Sequence, residues 1–242
     1  MWRDNLRGIF YIALKDIKTY YFKPPAISWG IVFPFTWILA FYLRNPVDFK
    51  ELVPGLIAMT ILFSTTAAEA VVLNFELRLG SLERLLLAPI SISAVLFGKI
   101  LGGVIFGFLM TTVVTLISVI TLGLNPNIFY LILIIVPSLF VFSSLGAFLC
   151  LMVKEVFEAQ TLLNLPRFLM IFLSGVVYPV SKMPMALKYL ACTLPLTYTV
   201  NGLKILFSSS PNNMIFFDAS MIIFFFIIFT FLAIKLFYKK FE

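Results

Sequence analysis

Residues 128–153 read IFYLILIIVPSLFVFSSLGAFLCLMV, an apolar run without one charged side chain. A helix rises 1.5 Å per residue, so about 20 such residues cross the ~30 Å hydrocarbon core of a bilayer. The run is long enough to span a membrane. Working outward from it, five more segments meet the same test: Ala26–Leu43, Leu52–Phe75, Leu96–Leu122, Leu162–Tyr178 and Met214–Phe237. All six are expected to be helices, because an open strand in lipid leaves its amides unpaired and barrel strands would alternate in polarity. The first run contains Pro34, follows a charged leader and lacks a small-residue cleavage pattern. It reads as a retained span, not a signal peptide.

Composition agrees. The chain is 62% hydrophobic and 12% charged, with a mean hydropathy of +1.07, whereas a soluble domain is about 25% charged. All but five of its 18 Lys and Arg residues fall on one side if the N-terminus is cytoplasmic, Lys23 and Lys154 among them. The five left outside are Arg44, Lys50, Lys182, Lys188 and Lys204. Basic loops stay inside, so both termini are expected in the cytoplasm of a cell-membrane protein. The net charge of +7 is then a topology signal, with no basic stripe for nucleic acid. The chain has no histidine, which excludes His-based triads and imidazole metal sites. Asp16, Asp48 and Asp218 are scattered, so no paired-carboxylate site emerges.

Ahead of the first span, Leu6, Ile9, Phe10, Ala13 and Ile17 recur at helical spacing. Residues 1–25 are expected to form an amphipathic helix at the cytoplasmic interface, and residues 26–242 the membrane domain. Between the second and third spans, Gly80-Ser81-Leu82-Glu83-Arg84-Leu85-Leu86-Leu87-Ala88-Pro89 reads as a short helix. Ser81 is its expected N-cap, Pro89 its stop, and Leu82, Leu85 and Leu86 share a face that needs headgroups or a partner protein.

Gly80-Ser81-Leu82-Glu83-Arg84-Leu85-Leu86, with Pro89 and Gly98-Lys99, resembles the motif of ABC-2 type transporter permeases: Gly-Thr-Leu-Glu-x-Leu-Leu, then Pro, then Gly-Lys. A second match follows in Leu173-Ser174-Gly175, Pro179, Met183-Pro184 and Leu194-Pro195-Leu196-Thr197-Tyr198, ahead of Asn201-Gly202-Leu203-Lys204. It is similar to the family's Ser-Gly, Pro, Pro and Asn-Pro-Leu-Thr-Tyr series, with Leu194 where Asn is usual and Lys204 where Arg is common. The resemblance implies an all-α, six-span membrane subunit of an ATP-binding-cassette exporter. Its coupling helix, Gly80 to Pro89, would dock into a groove of a separate ATPase subunit, with Leu82, Leu85 and Leu86 filling the groove and Glu83 meeting a basic residue. A second permease subunit is implied, identical or a sister. ATP and magnesium would sit on the ATPase, since this chain has no Gly-x-x-x-x-Gly-Lys-Ser/Thr loop and binds no cofactor of its own.

The region from Tyr178 to Pro211 is too apolar for an ordinary loop and too often broken by Pro179, Pro184 and Pro195 for a straight span. It reads as an external re-entrant helical pair that includes Tyr198, serving as an outer gate or a structural plug. Glu69 is the one acid well inside a span. It either lines the pathway or makes a buried hydrogen bond to a neighbouring helix. Arg167, near the inner end of the fifth run, is expected to snorkel to phosphates, and Gly98, Gly102, Gly103 and Gly107 to allow close helix packing. The substrate class would be hydrophobic or amphipathic: a drug, lipid or glycolipid. An integral-membrane transferase using Glu69, or a non-transporting scaffold, are the other readings. On the proposed topology, Cys192 is external and Cys150 lies at the cytoplasmic end of the fourth span. An impermeant thiol reagent added outside intact cells should therefore label Cys192 and spare Cys150, and the reverse pattern would invert the topology.

Overall fold

The structure is a computed structural model that describes residues 2–21, 27–44, 49–153, 156–208 and 213–241. Lys23, Ala26, Asp48, Lys154 and Pro211 lie outside the described residues. Among the described residues there is no strand. Helix α1 (Trp2–Asp16) runs on into a π-helical turn, Ile17–Tyr21, and a second π-helical turn, Ser28–Val32, leads into α2 (Phe33–Arg44). Then come α3 (Phe49–Arg78), α4 (Ser81–Leu86), α5 (Ile92–Leu122), α6 (Ile128–Leu151), α7 (Val156–Leu173), α8 (Met185–Cys192), α9 (Pro195–Phe207) and α10 (Met214–Phe241). Helices α3, α5, α6 and α10 are long and apolar enough to cross a membrane, and α8 with α9, bent by 92°, makes a fifth if counted as one span.

Local chemistry sets the helix ends. The Ser91 hydroxyl accepts from the Ala94 amide at 3.2 Å to start α5, and Gly123, at φ 61°, closes it in a conformation that disfavours a side chain. Asn127 then caps α6 by accepting from the Phe129 amide at 3.0 Å. The fifth predicted run is displaced. Its helix, α7, starts at Val156 and stops at Leu173, and the chain turns at Gly175, which has φ 83°. Hydropathy alone misses this, because Val176 and Val177 keep the run apolar past the turn while Glu158 and Gln160 make the true first turns polar.

Helix α3 is central. Its membrane-length stretch is 100% buried within the bundle, against 22% for α10. The difference follows from side chains. Helix α3 carries Thr60, Ser64 and Thr65, whose hydroxyls donate back to the carbonyls of Leu56, Thr60 and Ile61 at 2.8, 2.6 and 2.9 Å. They are small and satisfied by their own helix, so neighbours can close in from every side. Helix α10 instead turns Phe216, Phe224, Ile227 and Phe231 outward, as a lipid-facing helix would.

Polar pins fix the neighbours, since apolar contact gives little drive for helices to associate in lipid. Helix α6 supplies three of them. Ser138 shares a hydrogen bond with Thr199 of α9 at 2.9 Å, Ser144 one with Thr230 of α10 at 3.0 Å, and Ser143 donates to Glu69 of α3 at 2.8 Å. The glycines of α5 divide between two partners. A side chain at Gly98 would strike Ile12 of α1 and one at Gly102 would press on Tyr21, whereas one at Gly103 would collide with Glu69 and Ser143 and one at Gly107 with Thr65. Replacing Gly103 or Gly107 by Ala should therefore destabilise the α3–α5 seam by about 1–3 kcal/mol, read as a lower melting temperature of the purified protein in detergent. An unchanged melt would mean that the seam is looser than described.

Candidate functional site

The short helix α4 stands at the end of α3. Gly80, at φ 64°, makes the turn and is the N-cap itself; the Ser81 side chain does not cap α4, and its hydroxyl points back to the Glu76 carbonyl at 3.5 Å. The leucine face does not project as expected. Leu82 is fully buried in the subunit's own core, and Leu85 and Leu86 pack half-buried against that core. Presented outward instead are Glu83 and Arg84, flanked by Leu79 at 64% and Leu87 at 86% exposure, with Pro89 exposed beyond. Periodicity identified a face correctly but could not say which body receives it.

One turn before Gly80, sequence reading missed a cluster of charges. The Lys99 ammonium of α5 donates to both oxygens of Asp16, at 2.8 and 3.1 Å, and to Glu76 of α3. Lys15 donates to the other oxygen of Glu76 and lies 3.2 Å from Asp16. Asp16, Glu76 and Lys99 have no exposed side-chain surface, while Lys15 is 39% exposed and opens the cluster to water. Burial pushes the Asp16 carboxyl above its ordinary pKa, with Lys99 pulling the other way. Burial also works against the Lys15 ammonium, yet Glu76 and Asp16 leave its pKa raised. Two cations and two anions thus neutralise one another across α1, α3 and α5. One signal was available: Asp16 continues the Ile12 register at i, i+4, the side of α1 that meets α5.

That side of α1 differs from the predicted one. Asn5, Gly8, Ile12 and Asp16 face the bundle, where Asn5 accepts from the Ser91 amide at 2.9 Å and Gly8 makes room for Ile90. Leu6 and Phe10 stay exposed together with Arg3 and Arg7.

Within the spans, Glu69 is fully enclosed between α5 and α6, accepting from Ser143 with one oxygen, while the other has no hydrogen-bond partner among the described residues. Arg167 does not snorkel. It is 1% exposed, donates to Thr66 at 2.8 Å and Asn164 at 3.1 Å, and lies 5.2 Å from the centre of the Phe63 ring. Because α7 begins at Val156, Arg167 sits past its midpoint and not at its inner end.

At the other end of α3, Pro184 precedes α8 as its N-cap and Pro195 opens α9. The bend between them is held by Tyr198 and Thr197, whose hydroxyls donate to the carbonyls of Cys192 and Ala191 at 2.8 and 2.6 Å. Leu194, standing where the resembled motif has Asn, offers no side-chain cap. Pro179 leads into a 3-10 turn, Val180–Lys182, and Lys204 donates to the Gly175 carbonyl at 2.6 Å. The second motif therefore gathers at one place: Gly175, Pro179, Tyr198, Asn201 and Lys204 surround a single cavity.

Comparison with known proteins fits this arrangement. The chain is 28% identical over 236 residues to the probable multidrug ABC transporter permease YbhS of Escherichia coli, covering 93% of this chain and 57% of that protein. It is 28% identical over 207 residues to the putative transport permease ycf38 of Cyanophora paradoxa, covering 78% and 70% of the two chains. The chain thus spans little more than half the length of its Escherichia coli relative. A family model for the ABC-2 type transporter matches residues 7–208, from within α1 through α4 and the bent pair to the end of α9. With apolar helices that can cross a bilayer several times and both motifs inside that match, the chain is a multi-pass membrane protein that belongs to the ABC-2 type transporter family.

Proposed function

We propose that the chain is the permease subunit of an ATP-driven exporter. It crosses the membrane six times with both termini cytoplasmic, pairs with a second permease subunit, and works with separate ATPase subunits that hold ATP and magnesium. The observation that carries this reading is the pairing of an outward charged edge on α4 with the neutralised cluster behind it. Glu83, Arg84 and Leu87 form a docking edge for the ATPase. Glu76, one turn earlier on α3, passes any tilt of that edge to α1 and α5 through Lys99. Leu6 and Phe10 rest on the inner leaflet with Arg3 and Arg7 at the phosphates.

The substrate is a hydrophobic or amphipathic molecule of the drug, lipid or glycolipid class. The name of the Escherichia coli relative, a probable multidrug ABC transporter permease, supports that class. Glu69 acts here as an anchor between α3 and α6, a role that its enclosure by Ser143, Gly103 and Gly146 supports. The bent pair, with Pro179, Pro184, Pro195 and Tyr198, forms the outer gate.

Substrate should stimulate ATP hydrolysis when the chain is reconstituted in vesicles with its ATPase; hydrolysis indifferent to every amphiphile tried would reject the exporter. Glu83→Lys and Leu87→Asp should leave membrane insertion intact and abolish co-purification with the ATPase, so unchanged assembly would remove α4 from the docking role. Glu69→Gln, which keeps an acceptor for Ser143, should leave transport unchanged. A loss of transport in this variant without loss of stability would return Glu69 to the pathway.

Lys99→Met should destabilise the protein by up to about 3 kcal/mol, the low end for a broken buried pair, because it leaves two buried carboxylates with only the partly exposed Lys15 beside them. It also removes the main influence holding the Asp16 pKa down. An acid whose folded-state pKa is raised costs stability as pH climbs from its unfolded value through the folded one. The deficit should therefore shrink as pH falls through that window, and a pH-independent deficit in melts from neutral to mildly acid conditions would contradict the cluster's electrostatics.

A further inference from the structure

At the end of α3 opposite the ion cluster lie two cavities of about 380 and 550 Å³. Gly175, Pro179 and Lys204 line both, so the Lys204 ammonium and the Gly175 carbonyl it holds form the partition between them. An ammonium has three N–H donors, and the bond to Gly175 occupies one. Lys50 and Glu51 stand on the larger cavity's wall. The smaller cavity is also lined by the Asp218 carboxyl, only 2% exposed, with one oxygen accepting from Asn201 at 2.7 Å.

Lys204 and Asp218 line the same cavity without forming an ion pair with each other. The Tyr198 and Phe217 rings, 6.2 Å between centroids, line the cavity with Asp218. A further polar group, the Ser174 hydroxyl, is 1% exposed, has no hydrogen-bond partner among the described residues, and belongs to the same lining. A buried hydroxyl without a partner among the described residues is costly unless something completes it, and a basic and an acidic side chain on one half-open cavity present complementary contacts to a ligand that carries both signs.

Charge complementarity selects the occupant. A ligand with only an anion would meet Asp218, and one with only a cation would meet Lys204. A small zwitterion satisfies both: its anionic group accepts from Lys204 and Ser174, and its ammonium rests at Asp218 among aromatic rings. The cavity's volume is at the small end of ligand sites and suits a headgroup more than a whole drug. We propose that the cavity bounded by Ser174, Asn201, Lys204 and Asp218 binds a zwitterion whose phosphate or carboxylate is joined to an ammonium by a short spacer. Such a group is found on a zwitterionic phospholipid and on soluble molecules of the same build. Binding is read without an ATPase, so its failure is separate from failure of the exporter reading.

The test is native mass spectrometry of the purified full chain in detergent, titrated with lysophosphatidylethanolamine, lysophosphatidylglycerol and O-phosphoethanolamine. The ethanolamine lysolipid should bind roughly tenfold tighter than the glycerol one, the worth of one charge-assisted hydrogen bond. Asp218→Asn, which keeps an acceptor for Asn201, should abolish that preference by weakening the ethanolamine ligand alone. Lys204→Gln should weaken both lysolipids. Ser174→Ala deletes a hydroxyl with no hydrogen-bond partner among the described residues and should weaken both by a few-fold, so the proposal stays testable even if the Lys204 variant does not fold. Competition by O-phosphoethanolamine would assign the site to a soluble zwitterion, and a requirement for the acyl chain would assign it to lipid; either supports the zwitterion site. Equal binding of the two lysolipids, or wild-type binding by folded Asp218→Asn and Ser174→Ala proteins, would overturn it.

Discussion

An ammonium withdrawn from water must be neutralised where it stands, and at Lys99 the neutralising groups come from distant parts of the chain. Asp16 ends α1 and Glu76 lies near the end of α3, so the three segments are held in one register by charges that none of them can satisfy alone. The glycine just before Lys99 and the one about a turn beyond it complete the arrangement. Gly98 admits Ile12 and Gly102 admits Tyr21, whose ring lies tilted against Phe106 with centroids 5.3 Å apart, bringing the N-terminal segment close enough for Asp16 to reach Lys99. Steric permission and electrostatic demand coincide on one face of one helix.

Deeper in the bundle the same logic continues with weaker groups. Lipid tails are as apolar as leucine, so burying leucine against leucine does little to choose one packing over another. Serine and threonine make the choice here. Ser138, Ser143 and Ser144 send α6 to three different partners, and Thr66 receives Arg167 from α7. Each pin is modest, and their directions fix the arrangement more than their strengths do.

The spans that sequence reading placed well are those whose apolar run ends where the backbone ends. Ser91, Gly123 and Asn127 punctuate α5 and α6, and the predicted and observed limits there differ by only a few residues. Helix α7 was misplaced because its first turns are polar and the turn after it is not. The outward face of α4 was misread because spacing reports which leucines stand together, not whether the same subunit or another receives them. The charge cluster was illegible for a different reason: Lys15, Asp16, Glu76 and Lys99 lie on three helices, and only the fold brings them within bonding distance. The match to Gly98-Lys99 marked two of the decisive residues without saying what they do.

Helix α3 is also the longest lever in reach of both the cavities and the charge cluster. Its 30 residues make a rod about 45 Å long, well beyond the hydrocarbon thickness, with Glu51 beside the larger of the two cavities at one end and Glu76 in the charge cluster at the other. Hydroxyls that fold back onto its own carbonyls leave much of its surface free for close packing, while Glu69 and Thr66 accept from Ser143 and Arg167 on its neighbours. A tilt of 10° about its midpoint would carry each tip through about 4 Å, more than the length of a hydrogen bond. If α3 tilted as one body, Pro54 in its second turn notwithstanding, Glu51 and Glu76 would be displaced together.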